Sequence, residues 1–287
     1  MNKKIFWIAS YPKSGNTWIR AILTSLFFTK DGKFSFELFN STSIFEHAER
    51  FEFIKDINQN DYDNLSQLEI LSKYWVQGQN KTVIKGDFAF LKTHHACIAY
   101  GKNNFTSTNN TLGAIYLIRD PRDVVISYSK HLGKTIDETI YLMKKIGAST
   151  LYKTGPNTKN KKYYSYISSW DDNVKSWEEI SVPKIIIKYE DLLDKPMKII
   201  IEIVNFFKKN YNLKFASLEN KLENIIKTTS FENLSNLEKQ YGFLEATKHS
   251  NFFRKGQKKQ WREILTPKQI SEIEKSFKDL MKKYNYL

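Results

Sequence analysis

Residues Ile5-Phe-Trp-Ile-Ala9 form an uninterrupted apolar run, the length of a short buried strand over 4–9. From Ile19 the period changes. Apolar residues then fall at 19, 22, 23, 26 and 27, one face of a helix near 16–28. The alternation of strand and helix patterns continues downstream. Phe88-Ala-Phe-Leu91 reads as a second strand and Gly113-Ala-Ile-Tyr-Leu-Ile118 as a third. Ile185-Ile-Ile187 reads as a fourth, buried on both faces. Asp120-Pro121 opens a helix, with Asp as N-cap, Pro at the first helical position and Asp123 at the third. A later helix carries apolar positions 199, 200, 203, 204 and 207. The last helix opens at the capping box Thr266-Pro-Lys-Gln269 and turns 270, 273, 277, 280 and 281 to one side. Residues 31–80 are polar and mixed, with helical stretches and no clear strand. The stretch 147–165, rich in Lys, Asn, Ser and Tyr, is expected to be a mobile loop. Alternating elements of this kind predict an α/β fold with a parallel sheet covered by helices.

Between the first strand and the first helix lies Tyr11-Pro-Lys-Ser-Gly15. Backbone N–H groups converge at such a turn, and the helix N-terminus adds positive potential, so anions bind there. A sharp turn with no ligand is the competing reading. The turn is not a Walker A loop, because Lys13 precedes Ser14 and Gly15 and no Gly lies upstream.

Three further clusters follow predicted strands or loops. Lys92 and His94 end the second strand two residues apart, so an extended chain points both to one side. A lone His is more often a structural residue, and His95 and His131 are read that way. Arg119 ends the third strand, and Ser127 lies on the next helix. An Arg–Asp pair within Arg119-Asp-Pro-Arg-Asp123 is the plainer reading, above all for Arg122. Arg254-Lys255-Gly256, with Trp261 beyond, is either an anion loop or a basic surface loop.

Composition narrows the class. The chain has 287 residues, enough for one α/β domain over 1–287. Its 20 Phe, 16 Tyr and 6 Trp exclude a disordered chain. The net charge of +14 suits an anionic partner, and a nucleic-acid-binding protein is one alternative. No nucleic-acid motif is present. Cys97 is the only cysteine, which rules out an internal disulfide and a Cys-based zinc site. The apolar run after Met-Asn-Lys-Lys is too short for a signal peptide, and no run approaches the roughly 20 residues of a membrane span. A soluble, cytoplasmic protein is expected.

Tyr11-Pro-Lys-Ser-Gly-Asn-Thr-Trp18 resembles the 5′-phosphosulfate loop of sulfotransferases that use 3′-phosphoadenosine 5′-phosphosulfate (PAPS). The other clusters match that family in order. Leu91-Lys-Thr-His94 resembles its Lys-Thr-His segment, and Arg119 with Ser127 its 3′-phosphate motif. Phe253-Arg-Lys-Gly256 resembles the element that closes over the 3′-phosphate. Tyr189-Glu-Asp-Leu192 and Thr229-Ser-Phe231 resemble segments that contact the adenine. The resemblance spans 5–267. It implies a three-layer P-loop-type fold and sulfuryl transfer from PAPS to a hydroxyl or amine of a small-molecule or glycan acceptor. It also implies His94 as general base, with Lys13, Lys92 and Ser127 serving the transfer and Ser127 restraining Lys13. The implied nucleotide contacts are Lys13, Ser14, Gly15, Asn16, Thr17, Trp18, Arg119, Ser127, Tyr189, Thr229, Phe231, Arg254, Lys255 and Gly256. No metal is implied.

The chain departs from the family at two points. His95-Ala96 stands where the family has Leu-Pro, and Lys259-Gln260 where it commonly has Gly-Asp. A kinase-like P-loop enzyme is the alternative within enzymes, but it needs a Walker Lys and metal ligands. The dimer segment of cytosolic animal members is absent from Glu245–Phe253, so the sequence sets no oligomeric state. Nor does it name the acceptor. Residues 31–80, 134–165 and 235–253 are expected to line its pocket.

Overall fold

The computed structural model describes residues 4–42, 44–45, 49–52, 54–79, 88–151, 163–243, 245–246, 252–253 and 255–287. Strand β1 (Lys4–Ser10) leads into α1 (Asn16–Phe28), followed by α2 (Phe36–Thr42), the short strand β2 (Ile44–Phe45), α3 (Glu49–Glu52), α4 (Gln59–Asp63) and α5 (Leu68–Gln79). Next come β3 (Phe88–Thr93), β4 (Ala99–Tyr100), β5 (Asn103–Asn104), β6 (Thr111–Ile118), α6 (Pro121–Leu132) and α7 (Ile136–Lys144). The chain continues through β7 (Ser149–Leu151), β8 (Tyr164–Tyr166), α8 (Trp170–Glu178), β9 (Lys184–Lys188), α9 (Tyr189–Asp194) and α10 (Pro196–Tyr211). Helices α11 (Leu218–Thr228), α12 (Phe231–Tyr241), α13 (Trp261–Ile264), α14 (Pro267–Ser276) and α15 (Lys278–Lys283) complete it.

The main sheet has the order β2-β3-β1-β6-β9. Strand β1 pairs in parallel with β3, from Lys4 opposite Phe88 to Ala9 opposite Thr93. Parallel pairing aligns the carboxyl ends of these two strands, which is where ligands gather in α/β proteins. Residues Ile5–Ser10 are all buried, which is why this strand reads as a continuous apolar run and not an alternating one.

Two compact units are distinguished. The first comprises Met1–Tyr11, Ile44–Tyr116 and Lys145–Lys184. Its core is aromatic: Trp7 packs against Phe105 and Trp177, and its indole N–H donates to Thr111 Oγ1 at 3.2 Å. Each such ring buries enough apolar surface to contribute ~1.5–3 kcal/mol. The second comprises Pro12–Ser43, Leu117–Lys144 and Ile185–Leu287. There α10 buries Ile199, Ile200, Ile203, Val204 and Phe207, the face its sequence period defines. Phe27 of α1 meets Phe207 edge-on, with ring centroids 4.8 Å apart.

Several expectations are corrected. Strand β3 runs on through Lys92 and Thr93. Strand β9 lies at the sheet edge and buries only Ile187 fully, so the triple-Ile run is not enclosed on both faces. The two ends of the stretch 147–165 are strands, β7 and β8, which pair antiparallel with Ser149 opposite Tyr166. Residues 152–162 lie outside the described residues. The last helix is two: Phe277, with φ −117°, closes α14 and begins α15, while Ile273, Phe277, Leu280 and Met281 stay buried. Among residues 31–80 the two-residue β2 was not legible.

Candidate active site

The loop between β1 and α1 is built by two unusual backbone angles. Lys13 and Gly15 have φ of 66° and 100°, and Asn16 then starts α1. Gly15 is obligatory for a second reason. A Cβ there would lie 2.7 Å from Cδ2 of Tyr189. Trp18 meets the same Tyr189 ring edge-on at 5.9 Å. The Ser14 hydroxyl is buried and has no hydrogen-bond partner among the described residues, and Asn16 is also buried. Thr17 donates its hydroxyl to Glu245 at 3.3 Å, and Arg20 one turn later pairs with the same buried carboxylate at 2.5 Å. The Lys13 ammonium lies over the ring of Phe252, 4.0 Å from its centroid.

Arg119 joins this loop to a second one. It is 6 % exposed, with Nη1 donating to Lys13 O at 3.1 Å and Nη2 to Gln257 O at 2.9 Å. Its guanidinium stacks 4.2 Å from the Tyr189 centroid, and its buried Nε has no partner among the described residues. Gly256, next to Gln257, has φ 59° and fits against Phe231, leaving no room for a Cβ. Thus Lys13, Gly15, Trp18, Arg119, Tyr189, Phe231 and Gly256 converge in the second unit. Lys255 is exposed beside them. Ser127 is half-buried on α6. The Thr229 hydroxyl donates to Ile225 O at 2.7 Å, so it is turned into its own helix end. Arg254 lies outside the described residues.

Buried carboxylates brace the site. Asp120 caps α6 as expected, accepting the Arg122 N–H at 3.0 Å. Arg122 makes the expected pair with Asp120 at 2.7 Å and adds Glu274 at 2.5 Å. Glu190 accepts from the Asp120 N–H and from the Tyr286 hydroxyl. Burial pushes the Glu190 and Asp123 carboxyls above their ordinary values, and the positive charge of Arg119 opposes the rise.

The first unit holds the candidate base. Lys92 and His94 are both half-buried, while Leu91 and Thr93 between and before them are buried, as alternation requires. His94 Nδ1 lies 2.7 Å from Ser10 O and 3.2 Å from Ser10 Oγ. A carbonyl can only accept, so Nδ1 carries the proton and the ring's acceptor lone pair is on Nε2. Asn173 anchors the same turn, donating to His94 O at 3.0 Å. His95 is fully buried and stacked on Phe105 at 4.1 Å. Ser10, Phe252 and Glu245 escaped the sequence reading. Only Phe252 had a signal, its place two residues before Arg254.

A sequence model of the sulfotransferase domain matches residues 3–285. The chain belongs to the sulfotransferase family. It is 25 % identical to cytosolic sulfotransferase 13 of Arabidopsis thaliana, over 95 % of this chain and 75 % of that protein. It is 26 % identical to flavonol 4′-sulfotransferase of Flaveria chlorifolia, over 94 % of this chain and 76 % of the relative. Among solved structures, retinol dehydratase in complex with androsterone and the inactive cofactor PAP superposes with a TM-score of 0.61 at 21 % identity. That match covers 97 % of this chain and 80 % of the other. The fold of this sulfotransferase is accordingly the three-layer P-loop type, a parallel sheet flanked by helices. No helix among the described residues is long and apolar enough to cross a membrane.

Proposed function

We propose that this sulfotransferase, acting as a single domain over 1–287, transfers a sulfuryl group from PAPS to a hydroxyl or amine of a small-molecule or glycan acceptor. The observation that carries the reading is Arg119. It is buried, it holds the loops of Lys13 and Gly256 by two bonds, and its Nε has no partner among the described residues. A planar fork so placed suits a phosphate, since phosphate oxygens accept paired, charge-assisted bonds. The unpartnered Ser14 hydroxyl and the close fit around Gly15 and Gly256 suit the same nucleotide.

When bound, PAPS supplies an activated sulfuryl group with adenosine 3′,5′-bisphosphate (PAP) as leaving group. The chain's own part is positioning and charge stabilisation. Lys13 and the loop amides, with Lys92, neutralise negative charge at the 5′-phosphate. Arg119, Ser127, Arg254, Lys255 and Gly256 hold the 3′-phosphate. Trp18, Tyr189, Thr229 and Phe231 flank the adenine. His94 takes the acceptor proton on Nε2, its ring oriented by Ser10 O, a contribution of ~10²–10⁴-fold. The reading needs no metal and no nucleic acid. The names of the relatives support a small-molecule acceptor and a cytoplasmic location.

The test has two arms. PAP at 100 times its dissociation constant should stabilise the protein by ~2.7 kcal/mol, with or without chelator. Labelled PAPS should then pass sulfate to members of a hydroxyl acceptor panel. A magnesium requirement for nucleotide binding, or a preference for ATP over PAP, would overturn the reading in favour of a kinase-like enzyme.

A further inference from the structure

Asp123, at the third position of α6, does not serve as a helix cap. It is 2 % exposed. Its Oδ2 accepts the backbone N–H of Lys259 at 2.6 Å, and Oδ1 accepts that of Trp261 at 3.1 Å. Lys259 lies in the loop that follows Gly256, and Trp261 begins α13 where that loop ends. Lys259 is held there at φ 62°, a conformation lysine keeps only when its surroundings impose it. In the same loop the Gln257 carbonyl accepts from Arg119 Nη2 at 2.9 Å and from Gln260 Nε2 at 3.1 Å. A continuous series of bonds therefore runs from Asp123 through residues 257–261 to the Arg119 guanidinium.

A carboxylate is an odd neighbour for an anion site. On Coulomb grounds alone its charge repels a phosphate held by Arg119. We propose that Asp123 is a positioning residue for nucleotide selectivity: by fixing the 257–261 loop it sets the Gln257 carbonyl against Arg119 and so aims the guanidinium at a 3′-phosphate. The proposal rests on the reading of Arg119 as the 3′-phosphate ligand. It makes a prediction opposite in sign to simple electrostatics. Removing the charge of Asp123 weakens the anion, because one amide oxygen cannot replace two carboxylate oxygens that each accept an N–H.

The experiment is calorimetric binding of PAP and of adenosine 5′-phosphate, which lacks the 3′ group, to the wild type and to Asp123→Asn. The variant should lose about tenfold in PAP affinity, the lower end of the range for one charge-assisted bond. Its affinity for adenosine 5′-phosphate should stay within about twofold, a split that general loosening of the fold would not produce. Tighter PAP binding, unchanged PAP binding, or equal losses for both nucleotides would overturn the proposal. A wild type that binds both nucleotides equally would sink the reading of Arg119 and this proposal with it. A wild-type preference that Asp123→Asn keeps would sink the proposal alone. Should the variant not fold, hydrogen exchange on the wild type decides. The Lys259 and Trp261 amides should exchange slowly without nucleotide, and rapid exchange at both would refute the role given to Asp123.

Discussion

Replacing Gly256 by Ala separates steric fit from backbone strain at the nucleotide site. The residue has φ 59°, and a Cβ placed on it would come closer than 3.0 Å to three atoms of the Phe231 ring. That ring is backed by Phe253, with centroids 6.0 Å apart, and begins α12, so it has little room to retreat. The left-handed angle costs an Ala ~1–2 kcal/mol. Overpacking a filled site adds ~1–3 kcal/mol. The loop escapes both by opening, which moves Gln257 off Arg119. The penalty of ~2–5 kcal/mol then falls on nucleotide binding, a loss of roughly thirtyfold or more. Gly101→Ala is the control. It has φ 57° but nothing within 4 Å of its Cβ, so it carries the dihedral cost alone and should leave PAP affinity within about twofold. Isothermal titration of PAP into both variants, with their melting temperatures, makes the comparison. PAP affinity within threefold of wild type for Gly256→Ala would show that the fit against Phe231 does not matter.

Arg119→Ala should weaken PAP roughly ten- to a hundredfold, the value of a charge-assisted bond, and barely alter adenosine 5′-phosphate; competition binding with both nucleotides reads the ratio. His94→Ala should lose ~10²–10⁴-fold in single-turnover transfer while PAP affinity stays within a few-fold, and near-normal transfer would remove His94 from the chemistry. Glu190→Gln tests the raised carboxyl. Because burial lifts the folded-state pKa above the unfolded 4.5, the favourable contribution of Glu190 is full below 4.5 and lost as pH rises through the folded value. Denaturant titrations from pH 4.5 to 8 should therefore show the variant gaining on the wild type as pH rises; a gain in the other direction would refute the assignment.

What the sequence disclosed, and what it hid, follows from how local each signal is. Helix α1 and the buried face of α10 were readable because a period of 3.6 is written in the residues themselves. The capping box at Thr266 was readable for the same reason. The Lys13 turn, Arg119 and Gly256 stood in short motifs, and the structure brings those three together. Glu245 was not legible, because a buried ion pair to Arg20 joins residues 225 positions apart. Asp123 was legible only as the third residue of a helix, because the amides its carboxylate accepts, those of Lys259 and Trp261, lie 136 and 138 residues away. The edge position of β9 was hidden because three consecutive Ile residues look alike in a central strand and at a sheet edge.

The Lys13 ammonium over the Phe252 ring bears on hydration. An ammonium is strongly hydrated in water, and an aromatic face can replace only part of that shell. By resting on Phe252, Lys13 sheds some of its water while the chain folds, before any anion arrives. A phosphate held there, as proposed above, would meet a cation already partly stripped of its water. Fewer waters are left to release at that contact than an exposed lysine would free, so the entropy of anion capture there is smaller and its enthalpy correspondingly larger.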